Sequence, residues 1–528
     1  MVIERRTSYR SVDERKILFV NPFYGPSFGT FYHSYQFFRN IRGLMTPLGI
    51  LTVANYLPTQ WTVRILDENV RVLSDEDIDW ADVVFVSGMH IHRPWIQRIN
   101  DRAHGRGKMT VLGGCSVSAA PEDYPEFDVI HCGELGDATD QLIEFVDRTP
   151  VGFRPEKQRR FTTIEKIPLD EFPCPAYHLV DLNSYLLTTV QFSSGCPFSC
   201  EFCDIPALYG QNPRLKPVEK ILHELDIIKQ TGFNSAIYFV DDNFIGNQKA
   251  VKEFLPELAR WQKENNYPFN IGIEATINLA LRTDLLELMR EAYITDCYFG
   301  IESPEEDTLK DISKKQNIRM PIVDALDRVR TYGIEAVTGL ILGFDRDTEE
   351  TEQFMLKFIE ESNCPIIAIN LLFALPKTPL WDRLEKEGRL LPYEEAQHTN
   401  IRFKMPNEKV VAMWRNCIHA AYEPNAVYRR YQHNVETTYN ARLPLELSRH
   451  GRSWDKLPPL AYTLAKIFWV IGLRSNYRRT FWKQMTKTLR HSDLESAITI
   501  AVMGHHLIEY GRRDCKSDTI HASYFTKG

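Results

Sequence analysis

The sequence is short of several features, and each shortage excludes something. No apolar run reaches the roughly 18 residues that a bilayer-spanning helix needs, so no transmembrane segment is expected. The opening MVIERRTSYR is charged, with no apolar stretch behind it, so no secretory leader is expected either. The ten cysteines are mostly scattered, which is not the spacing of a disulfide framework. Together these point to a cytoplasmic, reducing location. Positive charge is also short: the formal net charge is −7, which gives no global reason to expect a nucleic-acid partner. No Ser/His/Asp constellation stands out. No GxGxxG follows the first strand-like run, which argues against a dinucleotide. What remains is ordinary in bulk. With 43% hydrophobic and 25% charged residues the chain reads as globular, and its 528 residues suggest about three to four domains.

One stretch is not ordinary. Ser193 to Pro206 reads SSGCPFSCEFCDIP, in which Cys196, Cys200 and Cys203 take the spacing CxxxCxxC. Three thiols within eight residues cannot all bury themselves as small core side chains. They can converge on one soft metal centre. A closed zinc site would want a fourth protein ligand, and no Cys or His pair stands nearby in that register. Three thiolates suit a 4Fe–4S cluster with one iron left open, and an open iron can chelate the amino and carboxylate groups of S-adenosylmethionine. Gly195 and Pro197 fit a loop that folds back around a cube. The run before it, Leu186 to Phe192, reads as a buried strand. The cysteines thus sit just past a strand end, where α/β barrels keep their chemistry.

The chain on either side alternates strand and helix patterns. Residues 1 to about 15 read as a loose polar lead-in. Short apolar runs at Lys16–Val20, Thr62–Leu66, Asp82–Val86, Met109–Leu112 and Asp128–Ile130 predict five strands, with helices between them such as Leu48–Leu57 and Pro94–Gly105. That rhythm argues for a parallel doubly wound sheet, whose ligand sits at the carboxyl ends of the strands. A linker with basic and Pro-rich stretches follows. From Leu186 the rhythm resumes, with strands expected at Ala236–Val240, Asn270–Glu274, Asp296–Gly300, Glu335–Leu342 and Pro365–Leu372. The expected fold class is α/β. It comprises a doubly wound domain (1–150), a linker (151–185), a partial (β/α)6 barrel (186–390) and a helical C-terminal region (391–528).

In the tail, Asn407 to Ala421 predicts a helix with Val410, Met413, Trp414 and Cys417 on one face, a lid for the barrel. Leu460 to Leu473 is apolar and aromatic. After it, Arg474, Arg478, Arg479, Lys483, Lys487 and Arg490 interleave with Tyr477, Phe481 and Trp482, with no acid among them. Two readings stay open: an interfacial membrane-docking element, or a helical hairpin packed on the barrel with a solvated basic face. Leu494 to Leu507 predicts a second apolar helix.

The cysteine loop after a first barrel strand resembles the signature of the radical-SAM superfamily. The domain before it resembles the cobalamin-binding domain that precedes many radical-SAM modules. That resemblance rests on the strand-end loops NPFYGPSFG, DENVR, SGMHIHR, GGCSVSAAPE and HCGELGDA and on Met45-Thr46-Pro47-Leu48-Gly49. It implies cobalamin contacts at Ser87, Met89, Gly113, Gly114, Ser116, Gly133 and Glu134, where paired glycines admit a bulky ligand close to the backbone. It implies cluster ligation by Cys196, Cys200 and Cys203. It implies S-adenosylmethionine contacts at Asp241, Asp242, Asn243, Glu274, Glu302, Gly339 and Gly343, with Phe202 near the adenine. Helix N-capping is the plainer use of the Asp241–Asn243 run. One departure matters: the first loop has no His where many cobalamin domains carry the cobalt ligand in DxHxxG. His90 and His92 are the conceivable substitutes, with ordinary loop or cap roles as the other reading.

The domain order, the strings SSGCPFSCEFCDIPALYG, YFVDDNFIGN and ALPKTPLWDRLEKEGRL, and the tail resemble the hopanoid C-2 methylase family over nearly the whole chain. This implies radical methylation of an unactivated carbon of a membrane triterpenoid. The implied cofactors are a 4Fe–4S cluster, S-adenosylmethionine and methylcobalamin. The implied partners are a hopanoid or other lipid and a one-electron reductant such as ferredoxin or flavodoxin, with contact at the inner face of the plasma membrane. The competing expectations are a related enzyme acting on another apolar metabolite as methylase or cyclase, an RNA methylthiotransferase, and a non-enzymatic cobalamin sensor.

Overall fold

Alternating apolar residues along short strands build the first half. The computed structural model describes residues 7–513 of the chain apart from 8, 10, 12, 393–395, 397, 444–456 and 492–493. In chain order the first strands are β1 (Lys16–Asn21), β2 (Gly43–Met45), β3 (Thr62–Asp67), β4 (Val83–Ser87), β5 (Met109–Gly113), β6 (Val129–Cys132) and β7 (Arg159–Thr162). All but β2 form one parallel sheet of order β3-β1-β4-β5-β6-β7. Ile17, Phe19, Val83, Phe85, Met109, Val111 and Val129 point to one face and meet helices Leu48–Tyr56 and Asp137–Arg148. Leu18, Val20, Val84, Val86, Leu112 and Ile130 point to the other and meet Ile78, Ile96, Ile99 and Val117 from three further helices. Each such buried aliphatic side chain contributes about 1.5–3 kcal/mol.

Two features of this half differ from the expectation. Strand β7 lies in the stretch read as linker. Its sequence RRFT is largely exposed and pairs only with β6, so an edge strand carried no apolar pattern to read. The described part of the lead-in is tied down: Tyr9 Oη donates to Asp147 at 2.9 Å and Arg15 donates to the Asp147 carbonyl at 2.6 Å.

The second half adds β8 (Tyr185–Val190), the short hairpin strands β9 (Ser193–Ser194) and β10 (Arg214–Leu215), then β11 (Ala236–Phe239), β12 (Asn270–Ala275), β13 (Ile294–Glu302), β14 (Glu335–Leu342) and β15 (Ile367–Leu371). A curled parallel sheet of order β15-β14-β13-β12-β11-β8-β2 results. Six of its strands are those expected. The seventh, β2, comes from the N-terminal stretch and pairs Gly43 with Tyr185 and Met45 with Leu187. Residues 28–47 thus pack with the barrel although they precede most of the first sheet.

A partial barrel leaves two open edges. On β15, helix Asn407–Ala421 covers the edge: Trp414 Nε1 donates to the Ile369 carbonyl at 2.7 Å and the Tyr422 hydroxyl donates to the Ile367 carbonyl. Val410, Met413, Trp414 and Cys417 are buried, on the expected face. Beside β2, Phe28 stacks on Tyr422 at 6.3 Å and meets Tyr510 edge-on. His506 of the last helix, Leu494–Arg513, bonds the Phe28 carbonyl at 3.0 Å. Burial holds His505 and His506 neutral, each lowered to about 3. Barrel and tail share one continuous apolar core. Among the described residues, no helix is long and apolar enough to cross a membrane.

Trp414→Phe keeps the ring but strands a buried edge carbonyl. It should cost about 1–3 kcal/mol, read as a lower denaturant midpoint at constant slope. An unchanged midpoint would show that the edge is capped by something else.

Candidate active site

The cysteine loop is held at both ends before any metal is considered. Strand β9 pairs antiparallel with β10, and the Cys196 amide donates to the Gly210 carbonyl at 3.2 Å. Gly195 has φ +100°, and a Cβ there would come 2.8 Å from that carbonyl, so only glycine fits. Asp241 accepts the Phe192 and Ser193 amides at 2.8 and 3.0 Å. Asp242 accepts the Gly195 amide at 2.7 Å. On the far side, the Glu201 amide donates to the Ile312 carbonyl and the Leu380 amide to the Glu201 carbonyl, while Arg383 pairs with the Glu201 side chain at 2.6 Å.

Cys196, Cys200 and Cys203 are free thiols, of which Cys200 is buried. Burial pushes the Cys196 thiol up, and the neighbouring Cys200 adds to it. Burial does the same to Cys203, with Cys200 and Cys196 opposing its ionisation. The three thiols therefore lie near enough to oppose one another's ionisation, and three thiolates there would call for a compensating cation. Among the described residues no three His, Cys, Asp or Glu side chains close on one point as a single ion requires. A cluster takes one thiolate at each of several irons. Gln316 Nε2 lies 3.7 Å from Cys200 Sγ, and Asn243 Nδ2 3.9 Å from Cys196 Sγ.

Next to the loop, the barrel interior carries two half-buried carboxylates, Asp242 and Glu274. Burial raises Asp242 to about 6 and Glu274 to about 7. Asp242 adds repulsion at Glu274. Glu274 also accepts the Tyr238 hydroxyl at 2.9 Å. Asn243 Oδ1 is buried without a hydrogen-bond partner among the described residues. Glu302, with φ +67°, pairs with Lys314 at 2.5 Å, both buried. Burial opposes a charge on Lys314, but Glu302, Cys200 and Cys203 outweigh it and raise its pKa. Its ammonium stands 5.8 Å from the Phe202 ring.

Three of the expected contact residues have protein neighbours of their own. Asp241 accepts the loop backbone and the Ser193 hydroxyl with its two oxygens, which anchors the loop. The space beside Gly339 is filled by the Tyr298 hydroxyl and that beside Gly343 by the Phe403 ring. Sequence reasoning missed Lys314 and Gln316. They lie past the strand end in the polar run KKQN, which has no motif to mark it.

The first sheet presents its strand ends to the same place. Gly114 has φ +99°, and a Cβ there would sit 2.9 Å from the Gly88 carbonyl and Ser87 Oγ, while Gly113 faces open space. Met89 is exposed. Gly133 turns against Thr163 and donates its amide to Ser118 Oγ at 2.8 Å. Glu134, expected at the cobalamin, is engaged by Arg214 at 2.6 Å and Lys166 at 2.7 Å; it ties the first domain to the cysteine hairpin. His90 Nε2 lies 3.5 Å from Asp204, beside Cys203. His92 Nδ1 accepts the Met89 amide at 3.0 Å, and burial lowers it to about 4. In the first loop Tyr24 packs edge-on against His92. A cavity of about 570 Å³ opens between the two halves, lined by His90, Ser116 and Tyr124 on one side and Phe373, Pro376 and Trp381 on the other.

Glu274 offers a test of this electrostatic picture. Its folded pKa is about 7 against 4.5 unfolded. Between those values the folded state holds a proton that the unfolded chain has lost. The stability it contributes is full below pH 4.5 and is lost as pH rises through 7. In the cofactor-free protein, Glu274→Gln should flatten that slope and raise stability at pH 8 by up to about 3 kcal/mol. Denaturant unfolding at pH 5 and pH 8 measures it, and an unaltered slope would remove Glu274 from the account.

Comparison with known proteins agrees with this arrangement. A B12 binding domain model matches residues 37–143, a radical SAM superfamily model residues 190–359, and a domain of unknown function residues 378–519. The hopanoid C-2 methylase of Rhodopseudomonas palustris is 46% identical over 97% of this chain and 96% of its own. An uncharacterized methyltransferase of Synechocystis is 33% identical over 94% of this chain and 92% of its own. Among solved structures, the cobalamin-dependent S-adenosylmethionine radical enzyme OxsB superposes with a TM-score of 0.57 at 14% identity, over 96% of this chain and 81% of that one. The methyltransferase TsrM from Kitasatospora setae gives 0.52 at 13% identity, over 71% and 78%; both likenesses concern the fold. The chain belongs to the cobalamin-dependent radical-SAM methyltransferases, in the family of the hopanoid C-2 methylase.

Proposed function

We propose that this methyltransferase adds a methyl group to C-2 of a hopanoid, at an unactivated ring carbon. The observation that carries the reading is the cavity between the two halves, lined by His90 and Ser116 of the first domain and by Phe373, Pro376 and Trp381 beyond the barrel strands, at a seam where His90 lies 3.5 Å from Asp204 of the cysteine loop. The relative of 46% identity supplies the substrate class. When bound, the cluster would supply the electron for reductive cleavage of S-adenosylmethionine, and methylcobalamin would supply the methyl group.

In this reading Cys196, Cys200 and Cys203 hold the cluster. Their mutual opposition to ionisation supports it. Asp242, Glu274 and the unpartnered Asn243 Oδ1 receive the cationic end of S-adenosylmethionine. Two half-buried carboxylates whose pKa values desolvation raises suit an ammonium group, which would restore their ionised form. Lys314 and Glu302 hold the far side, with the Phe202 ring alongside. Gly113, Gly114, Ser87 and Ser116 cradle the cobalamin, and Met89 lies at its edge. We place the enzyme in the cytoplasm at the inner face of the membrane, with a ferredoxin or flavodoxin as reductant.

Given reductant, methylcobalamin, S-adenosylmethionine and diploptene, the enzyme should form a 2-methylhopanoid. It should yield both 5′-deoxyadenosine and S-adenosylhomocysteine. Ala at Cys196, Cys200 or Cys203 should abolish 5′-deoxyadenosine formation after anaerobic reconstitution. Ala at Cys115, Cys132, Cys174, Cys297, Cys364 or Cys417 should leave cluster iron unchanged; Cys515 lies outside the described residues. Methylation that needed neither cluster nor cobalamin would sink the mechanism, and cofactor cleavage without a methylated lipid would move the substrate elsewhere.

The loop Asn21–Pro26 offers Tyr24 rather than a histidine, and His92 is already committed. Bound cob(II)alamin should therefore lack imidazole nitrogen splitting in electron paramagnetic resonance. A splitting that vanished in His90→Ala would make His90 the axial ligand instead.

A further inference from the structure

Helix Leu457–Ile467 runs into a seven-residue π-helical turn, Phe468–Arg474, and then into helix Arg478–His491. Such turns are uncommon and cluster at functional places. This one is pinned from one side. Trp482 Nε1 donates to the Gly472 carbonyl at 2.9 Å. Its ring lies where a Cβ on Gly472 would come within 2.6 Å, and Phe468 meets it edge-on at 5.9 Å. Ile471 and Gly472 face the core.

The opposite side faces solvent. Phe468, Trp469 and Leu473 are 50%, 53% and 45% exposed, and Trp482 is 39% exposed. A single exposed apolar side chain is ordinary, but four around one turn make a patch. The wider i→i+5 pitch of the turn sets Phe468 and Leu473 on the same side.

The surroundings of the patch select its partner. Arg474, Arg478, Arg479, Lys483 and Lys487 are all exposed, and Arg474 stands 5.7 Å over the Trp469 ring. No Asp or Glu occurs between residues 457 and 490, in a chain whose net charge is −7. An apolar centre ringed by cations is complementary to an apolar layer topped by anions. A bilayer with anionic headgroups has that profile, and tryptophan favours its interface. A second copy of this chain would bring the same cations face to face. A nucleic acid would match the charge and leave the apolar centre unused.

We propose that residues 468–490 form a docking surface for an anionic lipid bilayer, held flat on the membrane with Phe468, Trp469 and Leu473 inserted. For its purpose it rests on the lipid-substrate reading above, while the surface itself is tested without any hopanoid. Sedimentation of the full chain with vesicles of phosphatidylglycerol and phosphatidylcholine, against phosphatidylcholine alone, is the measurement. The wild type should sediment with the anionic vesicles at low salt and be released by high salt. A Phe468→Ser/Trp469→Ser double variant and an Arg478→Glu/Arg479→Glu/Lys483→Glu triple variant should each bind at least tenfold less. All these side chains are exposed, and both variants should cleave S-adenosylmethionine at the wild-type rate.

Equal binding to neutral vesicles, or variants that bind as the wild type does, would overturn the proposal. So would a wild type that ignores vesicles but self-associates through Trp469 or binds RNA. If the variants lose vesicle binding while even the wild type fails to methylate detergent-solubilised hopanoid, the docking surface stands and the substrate reading falls.

Discussion

The carboxylate of Asp241 accepts two consecutive amides and a hydroxyl from Phe192 and Ser193. Burial still raises it to about 7, so three donors do not fully compensate the loss of water. The anchor joins the end of β11 to the corner where β8 turns into the cysteine loop. Asp242 takes the next free amide, that of Gly195. Two adjacent carboxylates thus fix successive residues of the corner, and Cys196 follows directly. The cysteine loop is thus held from the neighbouring strand end.

A second constraint keeps the two halves in register. Glu134, at the end of β6, is bound by Lys166 and by Arg214 of the cysteine hairpin. Its side chain is nearly buried, at 12% exposure, while its partners are partly exposed. Breaking such a pair by removing one member leaves a desolvated charge, which costs more than the pair contributes. The bond therefore acts on geometry, setting the distance between the glycine cradle and the cysteine loop. His90 beside Asp204 adds a second bridge across the same seam.

What could be read from the sequence follows from how each element is buried. Strands β1, β3, β4, β5 and β6 and the barrel strands alternate or run apolar because both faces are covered, and their positions were legible within a residue or two. Edge elements were not. Strand β7 is polar because one side meets water, and β2 is three residues of an unrelated-looking stretch that pairs far along the chain. In the site, the cysteine spacing was legible because thiolate chemistry needs it. The roles of Asp241 and Glu134 were not, since a carboxylate that anchors backbone or pairs with arginine looks the same in sequence as one that meets a ligand. Lys314 and Gln316 reach the thiols by folding back from beyond β13, which no local spacing records.

The interior also explains why the site favours a cationic occupant. Asp242 and Glu274 repel each other, and burial already disfavours their charge. The cysteines do the same a few residues away. Each ionised group is easier to keep in the folded chain beside a cation, so the same desolvation that opposes these charges strengthens the hold on a positively charged occupant. Stability and loading are then linked: whatever binds only the folded state draws the equilibrium toward it. Lys314 is the one buried cation among these groups, and Glu302 already neutralises it. Positive charge from outside the chain would favour the ionised form of the remaining groups.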